Sequence, residues 1–131
     1  MMVRSCAVFA IGSVFLALAT LATAHHGAAG LFDVSRTVEI KGTVKSWSFV
    51  NPHPILLLEV PDESGQQMDW DIYFGPSAAT ALRRRGYAAD TFKFAETLIV
   101  RGHPARAAGV RGIDVFGGAG SVTREDGTQV P

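Results

Sequence analysis

The chain has 131 residues, with 12 lysines and arginines against 12 aspartates and glutamates, and its formal net charge is zero. This length suits one domain with a single modest core, and the charge balance gives no reason to expect nucleic acid or an anionic membrane as a partner. The single cysteine, Cys6, lies in the apolar N-terminal stretch, which excludes a disulfide scaffold, a thiolate metal site and a cysteine nucleophile in the rest of the chain.

The N-terminal residues have the pattern of an export signal. Arg4 supplies a positive charge, residues 7–19 form an apolar run, and a small-x-small cleavage site directly precedes His25. The apolar run is shorter than the roughly 20 residues that span a bilayer, so we expect no stable membrane anchor after cleavage. We therefore predict a signal peptide over residues 1–24 and a periplasmic or secreted protein that begins at His25.

The exported part is predicted to be mainly β. Residues 25–36 are rich in glycine and alanine, and we interpret them as a loosely held N-terminal arm. Residues 37–50 form a long first strand whose apolar side chains change parity between Val44 and Trp47. A bulge or bend around residues 42–46 would place both sets on the same side of the sheet.

Two more strands follow a rigid turn. The turn is Asn51-Pro52-His53-Pro54, because two prolines and an asparagine do not continue a β ladder. Residues 55–60 form the second strand and are almost continuously apolar. Residues 67–74 alternate apolar and polar side chains with a period of two, so they form the third strand.

A short helix and two strands complete the predicted domain. The helix covers residues 78–85, with Ser77 as its N-cap and Gly86 just beyond its C-terminus. Residues 97–101 and 113–122 form the last two strands.

Three strands, a helix and two strands occur in this order in the OB-fold. We therefore predict a small OB-fold-like five-stranded barrel with one short helix over residues 37–124, followed by a C-terminal tail over residues 125–131. An open β-sandwich, or a meander with one covering helix, is the alternative.

Several short motifs, spread over most of the exported part, carry a family resemblance. They are Ala24-His25-His26, Phe32-Asp33, Lys41-Gly42-Thr43-Val44, Trp47, Asn51-Pro52-His53, Trp70 and Arg84-Arg85-Gly86. On these motifs the chain resembles a family of small exported bacterial proteins known as domain of unknown function 6152. Such proteins tend to show a Lys-x-Gly-Asp turn where this chain has Lys93-Phe94-Ala95-Glu96. The resemblance implies no activity, so function has to be argued from the residues.

The histidines at the predicted new N-terminus carry the main functional hypothesis. His25 would offer its α-amine and its imidazole, and an imidazole from His26 or His53 would complete a set of three nitrogen ligands. Such a set suits Cu(II) better than Mg²⁺ or Ca²⁺. We predict a small exported binding protein that holds a copper-class ion through His25, His26 and His53. A purely structural turn is the alternative role for His53, which lies between two prolines.

A metal-free function is the alternative for the whole protein. It would be a periplasmic module that binds a peptide, a glycan or a partner protein on an exposed barrel face, through Tyr73, Arg84 and Tyr87. His103 is interpreted as a surface residue of a loop and is left outside the site. The sequence has no Gly-x-Ser-x-Gly, P-loop or His-Glu-x-x-His motif, so we do not expect an enzyme. Redox catalysis at a bound copper would need a substrate groove, which the sequence does not indicate.

Overall fold

The computed structural model describes residues 30–131, so the predicted signal peptide and the start of the arm lie outside the described residues. Within this range the elements in chain order are β1 (Val38–Ser48), β2 (Ile55–Pro61), β3 (Gln67–Tyr73), α1 (Ala79–Arg84), β4 (Thr97–Pro104), β5 (Gly112–Asp114) and β6 (Ser121–Arg124). None of the helical segments in the described part of the chain has the length and apolar character needed to span a membrane.

Strand β1 closes the sheet into a barrel because it has a neighbour on each side. Residues 38–43 pair antiparallel with β4, and residues 43–48 pair antiparallel with β2. Strand β2 pairs with β3, β3 runs parallel to β5, and β5 pairs antiparallel with β4. The predicted OB-fold-like five-stranded barrel with one short helix is confirmed, and β6 extends β4 outside the ring.

The bulge predicted in the first strand is also confirmed. The register of β1 against β2 shifts between Val44 and Ser46, which leaves Lys45 as the extra residue. The shift lets Val44 and Trp47 face the same side, although their positions differ by three. Val44 is almost fully buried, and Trp47 packs against the same core.

The helix begins one residue later than predicted and lacks the predicted cap. Its N-cap is Ala78, which makes no side-chain capping hydrogen bond. Ser77 instead belongs to the preceding turn, where its N–H donates to the Phe74 carbonyl. It ends at Arg84, one residue earlier than predicted, and Gly86 follows the C-cap Arg85 as expected. Gly86, at φ +99°, donates its N–H to Arg83, and the next N–H is donated to Leu82, which together form a Schellman motif.

The prediction of one strand over residues 113–122 is wrong. The segment contains the short strand β5, a turn, and then β6. The turn is tight, because a Cβ atom on Gly120 would overlap the Val115 carbonyl, and Gly117 has a φ of +94°. Glycines that make such a turn possible also interrupt a strand. The prediction was wrong because the residues on both sides of the turn are apolar and so suggested one continuous strand.

The C-terminal tail folds back onto the last strand. The Val130 N–H donates to the Val122 carbonyl at 2.8 Å, and Gln129 forms a β-bridge with Thr123. The Val130 side chain is 3% exposed and joins the core. Residues 125–131 therefore form a turn and an end that packs against the barrel.

Ala95 lies where the Lys-x-Gly-Asp pattern has glycine, and its φ is +65°. An L-residue in this left-handed region is strained by about 1–2 kcal/mol. Glycine relieves this strain, but part of the gain in stability is lost because glycine has the larger conformational entropy in the unfolded state. We expect Ala95→Gly to raise the free energy of unfolding by up to about 1 kcal/mol, as measured by urea denaturation. Ala89→Gly is the matched control, because Ala89 lies in an exposed turn with no positive φ. An equal loss of stability in both variants would contradict the prediction.

Candidate metal and ligand site

Of the three predicted metal ligands, His53 lies within the described residues. His25 and His26 lie outside the described residues. His53 lies in the connection between β1 and β2, where its side chain is exposed and the neighbouring Pro54 is buried. The Asn51–Pro52 peptide bond in this turn is cis. The convergence of the three histidines on one ion stays a prediction.

The described part of the arm is docked on the end of β4 and on the residues that follow it. The Arg106 N–H donates to the Leu31 carbonyl at 2.9 Å, and the Asp33 N–H donates to the Pro104 carbonyl at 2.8 Å. Between these bonds Phe32 is 5% exposed and forms a β-bridge with Ala105. The prediction of a loosely held arm is therefore wrong for residues 30–36, because a buried aromatic side chain and backbone hydrogen bonds dock it.

Phe32 docks on an aromatic partner from the barrel. Its ring lies 5.1 Å from the ring of Tyr73, centroid to centroid, in an edge-to-face arrangement. A Cβ atom on Gly112 would lie 3.3 Å from Cε2 of Tyr73, so the Tyr73 ring lies over this glycine of β5. Tyr73 itself is 39% exposed. It is therefore available to a ligand, as the metal-free alternative requires.

His103 does not lie in a loop, contrary to the prediction. It is a half-buried residue near the end of β4, directly opposite Asp114 of β5 in the antiparallel pair. Its Nδ1 atom lies 2.7 Å from the Arg36 carbonyl oxygen. A carbonyl oxygen only accepts, so Nδ1 carries the proton in the neutral ring. Nε2 is then left with a free lone pair, which is the form of imidazole that binds metals.

Asp114 is a buried carboxylate beside this histidine, with 3% of its surface exposed. Its Oδ1 atom accepts the Phe116 N–H at 3.0 Å, and the Gly75 N–H also donates to the carboxylate. Burial raises the pKa of the Asp114 carboxyl above its usual range, while these hydrogen bonds and His103 oppose the rise. We call Tyr73, His103 and Asp114 the outer cluster, because they are register neighbours on three adjacent strands.

Sequence reasoning missed the His103–Asp114 pair. Every second residue of β4 is buried, namely Leu98, Val100 and Gly102. The same alternation places His103 on the opposite face of the strand. That signal was present, but the predicted strand ended at residue 101. No local pattern indicates Asp114 as the partner, because the pairing of β4 with β5 depends on the length of the loop between them.

Of the other two predicted ligand residues, Tyr87 is buried and Arg84 is exposed. Tyr87 is 4% exposed and packs edge-on against Phe74, so it does not belong to an exposed ligand-binding face. The cause is the Schellman turn, which directs the residue after Gly86 back onto the helix. Arg84 is exposed in the last turn of α1, while its neighbour Arg83 lies over the ring of Phe49.

The side chains of residues 30–131 do not form a complete metal site by themselves. No three histidine, cysteine, aspartate or glutamate side chains within this range are grouped so as to hold an ion. His103 and Asp114 supply one nitrogen and one carboxylate at most. A metal bound here would require further donors.

The comparisons with known proteins define a family but no activity. Residues 14–114 match a family of unknown function (DUF6152). The match ends at the last residue of β5 and so includes the arm and the five strands of the barrel. No curated protein and no solved structure matches the chain.

Proposed function

The chain belongs to this family of unknown function (DUF6152), and from its residues we propose that it is an exported, periplasmic or secreted, metal-binding protein. It holds a copper-class ion through the α-amine and imidazole of His25, with a further imidazole from His26 or His53. Its role is to deliver or buffer the metal, and it is not an enzyme.

One observation carries the proposal: two histidines directly follow the predicted export cleavage site and precede an arm that is docked from Leu31 onward. Only a few residues separate His25 from the docked part. At 3.3–3.6 Å per residue, the α-carbon of His25 stays within about 18 Å of Gly30. A site that includes the terminal amine therefore lies within reach of the docked part of the arm.

The donor set favours copper over other abundant cations. An amine and an imidazole on one residue form a chelate, and nitrogen ligands suit Cu(II) or Ni(II), whereas Mg²⁺ and Ca²⁺ prefer oxygen. The part of the chain after the cleavage site has no cysteine. Thiolate binding of Cu(I) is therefore not available to the exported protein.

Titration with Cu(II) tests the proposal. Protein that begins at His25, verified by mass, is compared with protein that carries four extra residues, Met-Gly-Ser-Gly, before His25. Because the extension moves the amine away from the His25 imidazole, we expect the Cu(II) affinity to fall by about tenfold or more. Competition with a chelator of known affinity measures the change, and the electron paramagnetic resonance spectrum is expected to show fewer coordinated nitrogens.

Several extra residues are needed for this control. A single added residue would place His26 third in the chain, where an N-terminal amine and an imidazole can form a new chelate of their own. Equal Cu(II) affinity in the two proteins would remove the terminal amine from the mechanism and contradict the proposal.

A second candidate function has one observation in its favour. Ile55, Tyr73 and Phe116 are 46%, 39% and 44% exposed and lie close together on the barrel surface. The register places Ile55 beside Tyr73, and the Phe116 side chain covers Gly75, two residues further along. Such a patch suits a metal-free module that binds a peptide, a glycan or a partner protein. In that case His25 is dispensable, which separates the two candidates.

A further inference from the structure

The outer surface of strands β2 and β3 has an apolar end and an acidic end. The core residues of both strands are buried at every second position, so the residues between them face outward. We call this surface the β2–β3 outer face, and it consists of Ile55, Leu57 and Glu59 of β2 with Tyr73, Asp71 and Asp69 of β3. The register places Leu57 opposite Asp71 and Glu59 opposite Asp69. Apolar surface and negative charge are therefore separated along the strands.

The apolar end is too small to hold a second copy of this chain. Ile55, Tyr73 and the adjacent Phe116 are 46%, 39% and 44% exposed. A large side chain has about 150–250 Å² of surface, so these three expose roughly 200–300 Å² together. A stable dimer buries about 800 Å² on each partner. The apolar end therefore suits one large side chain of a ligand.

The acidic end carries more negative than positive charge. Two carboxylates share Lys45, because its Nζ atom lies 2.9 Å from Oδ1 of Asp69 and 3.4 Å from Oε1 of Glu59. The third carboxylate, that of Asp71, forms no ion pair within residues 30–131, although the Arg111 carbonyl accepts the Asp71 N–H at 3.0 Å. One ammonium group thus faces three carboxylates, and this imbalance favours a cationic ligand.

The carboxylate of Asp71 lies next to the apolar end. Burial raises the pKa of the Tyr73 hydroxyl above its usual range, and the charge of Asp71 adds to the rise. Asp71 and Tyr73 are two positions apart on one strand, so their α-carbons are about 6.5–7 Å apart. An extended peptide has the same period, so its side chains two positions apart point to one side at this spacing. One such pair of ligand side chains therefore matches Tyr73 and Asp71.

The small apolar end, the excess of carboxylates and their spacing point to one class of ligand. We infer that the β2–β3 outer face binds an extended peptide segment in which a large apolar side chain lies two positions from a lysine or arginine. The apolar side chain contacts Ile55, Tyr73 and Phe116, and the cation pairs with Asp71. This inference rests on the second candidate function, to which it gives a ligand class, and it does not depend on copper binding.

The probe that tests it is a pool of synthetic peptides with the pattern X-Lys-X-Phe-X-Lys-X, where X is a mixture of uncharged residues and both ends are blocked. A lysine on each side of the phenylalanine serves either direction of the bound chain. We expect this lysine pool to shift the nuclear magnetic resonance signals of Leu57, Tyr73 and Phe116. A glutamate pool, with glutamate at both lysine positions, is expected to leave these signals unchanged.

Two variants test the charge of the face. Asp71→Asn keeps the shape of the side chain and removes its charge, so we expect the affinity for the lysine pool to fall about threefold to fivefold, as for one partly shielded ion pair. Asp90→Asn is the matched control, because Asp90 is exposed in the segment after α1, outside the β2–β3 outer face. Its affinity for the lysine pool should stay within about 1.5-fold of that of the natural protein.

The possible outcomes are distinguishable. Equal binding of the two pools overturns the inference and leaves an uncharged ligand for the second candidate function. An absence of shifts with the lysine pool at about 1 mM overturns it as well. Chitotetraose, a neutral oligosaccharide, would overturn it in favour of a glycan if it shifted the three signals equally in the natural protein and in Asp71→Asn. If Asp71→Asn does not fold, the two pools decide the question on the natural protein. The Cu(II) titration is a separate measurement, so failure here leaves the proposed metal binding standing.

Discussion

Replacing Gly102 by alanine is expected to destabilise the folded protein by about 3 kcal/mol or more. Gly102 is buried in β4, where a Cβ atom would overlap the Asp114 carbonyl of β5 and lie 2.7 Å from Cγ2 of Ile113. One of the obstacles is backbone, so rotation of a side chain cannot relieve the clash. The two strands would have to separate, and the core residue Ile113 would move with them. Urea denaturation followed by far-ultraviolet circular dichroism measures the loss.

Gly118→Ala is the matched control for this prediction. A Cβ atom on Gly118 would meet nothing within 4 Å, and its φ does not lie in the left-handed region. We expect its free energy of unfolding to stay within about 0.5 kcal/mol of the natural protein. If the Gly102 and Gly118 variants were equally stable, β4 and β5 would not be as closely paired as described.

The same close approach positions the outer cluster. His103 follows Gly102 directly, and its partner Asp114 contributes the carbonyl that Gly102 accommodates. A glycine in β4 thus sets the spacing of two strands and, with it, the position of the outer cluster. The sequence alone indicates that residue 102 is unusual in an apolar strand, but it does not identify the strand that approaches it.

The parts of the fold that could be predicted depend on neighbours in the sequence. Strict alternation identified β3, and the change of parity between Val44 and Trp47 identified the bulge of β1. Local signals failed around residues 115–120, where glycines required by a tight turn are flanked by apolar residues. The order of the elements then sufficed for the barrel, because few arrangements of five strands and one helix close around so small a core.

The candidate site was harder to predict because its contacts are distant in sequence. His103 meets the Arg36 carbonyl 67 residues away, and neither residue carries a local signal for the other. Phe32 lies in a segment with no periodicity, yet its contact with Tyr73 docks the arm. Tyr87 shows the opposite error, because a polar aromatic residue after a helix suggested a surface role, whereas the turn at Gly86 buries it.

Trp47→Ala is expected to lower the free energy of unfolding by about 3–5 kcal/mol. The Trp47 ring packs edge-on against Phe74 and Phe92, with ring centroids 5.5 Å and 5.0 Å away. Its Nε1–H also donates to the Ala88 carbonyl at 2.8 Å, which ties β1 to the segment after the helix. Alanine would leave a cavity between the aromatic rings and a carbonyl without its donor. The total stability of a small domain is about 5–15 kcal/mol, so this loss is a large part of it.

Two further variants separate the contributions. Trp47→Phe keeps most of the apolar contact and removes the indole N–H, so it should cost only about 1–2 kcal/mol. Phe94→Ala removes an aromatic ring that is 81% exposed and should change stability by less than about 0.5 kcal/mol. Circular dichroism during urea denaturation is the appropriate measurement, because the Trp47 variants alter the intrinsic fluorescence. If Trp47→Ala were no less stable than Phe94→Ala, Trp47 would not be part of the core, and the bulge would not serve to turn it inward.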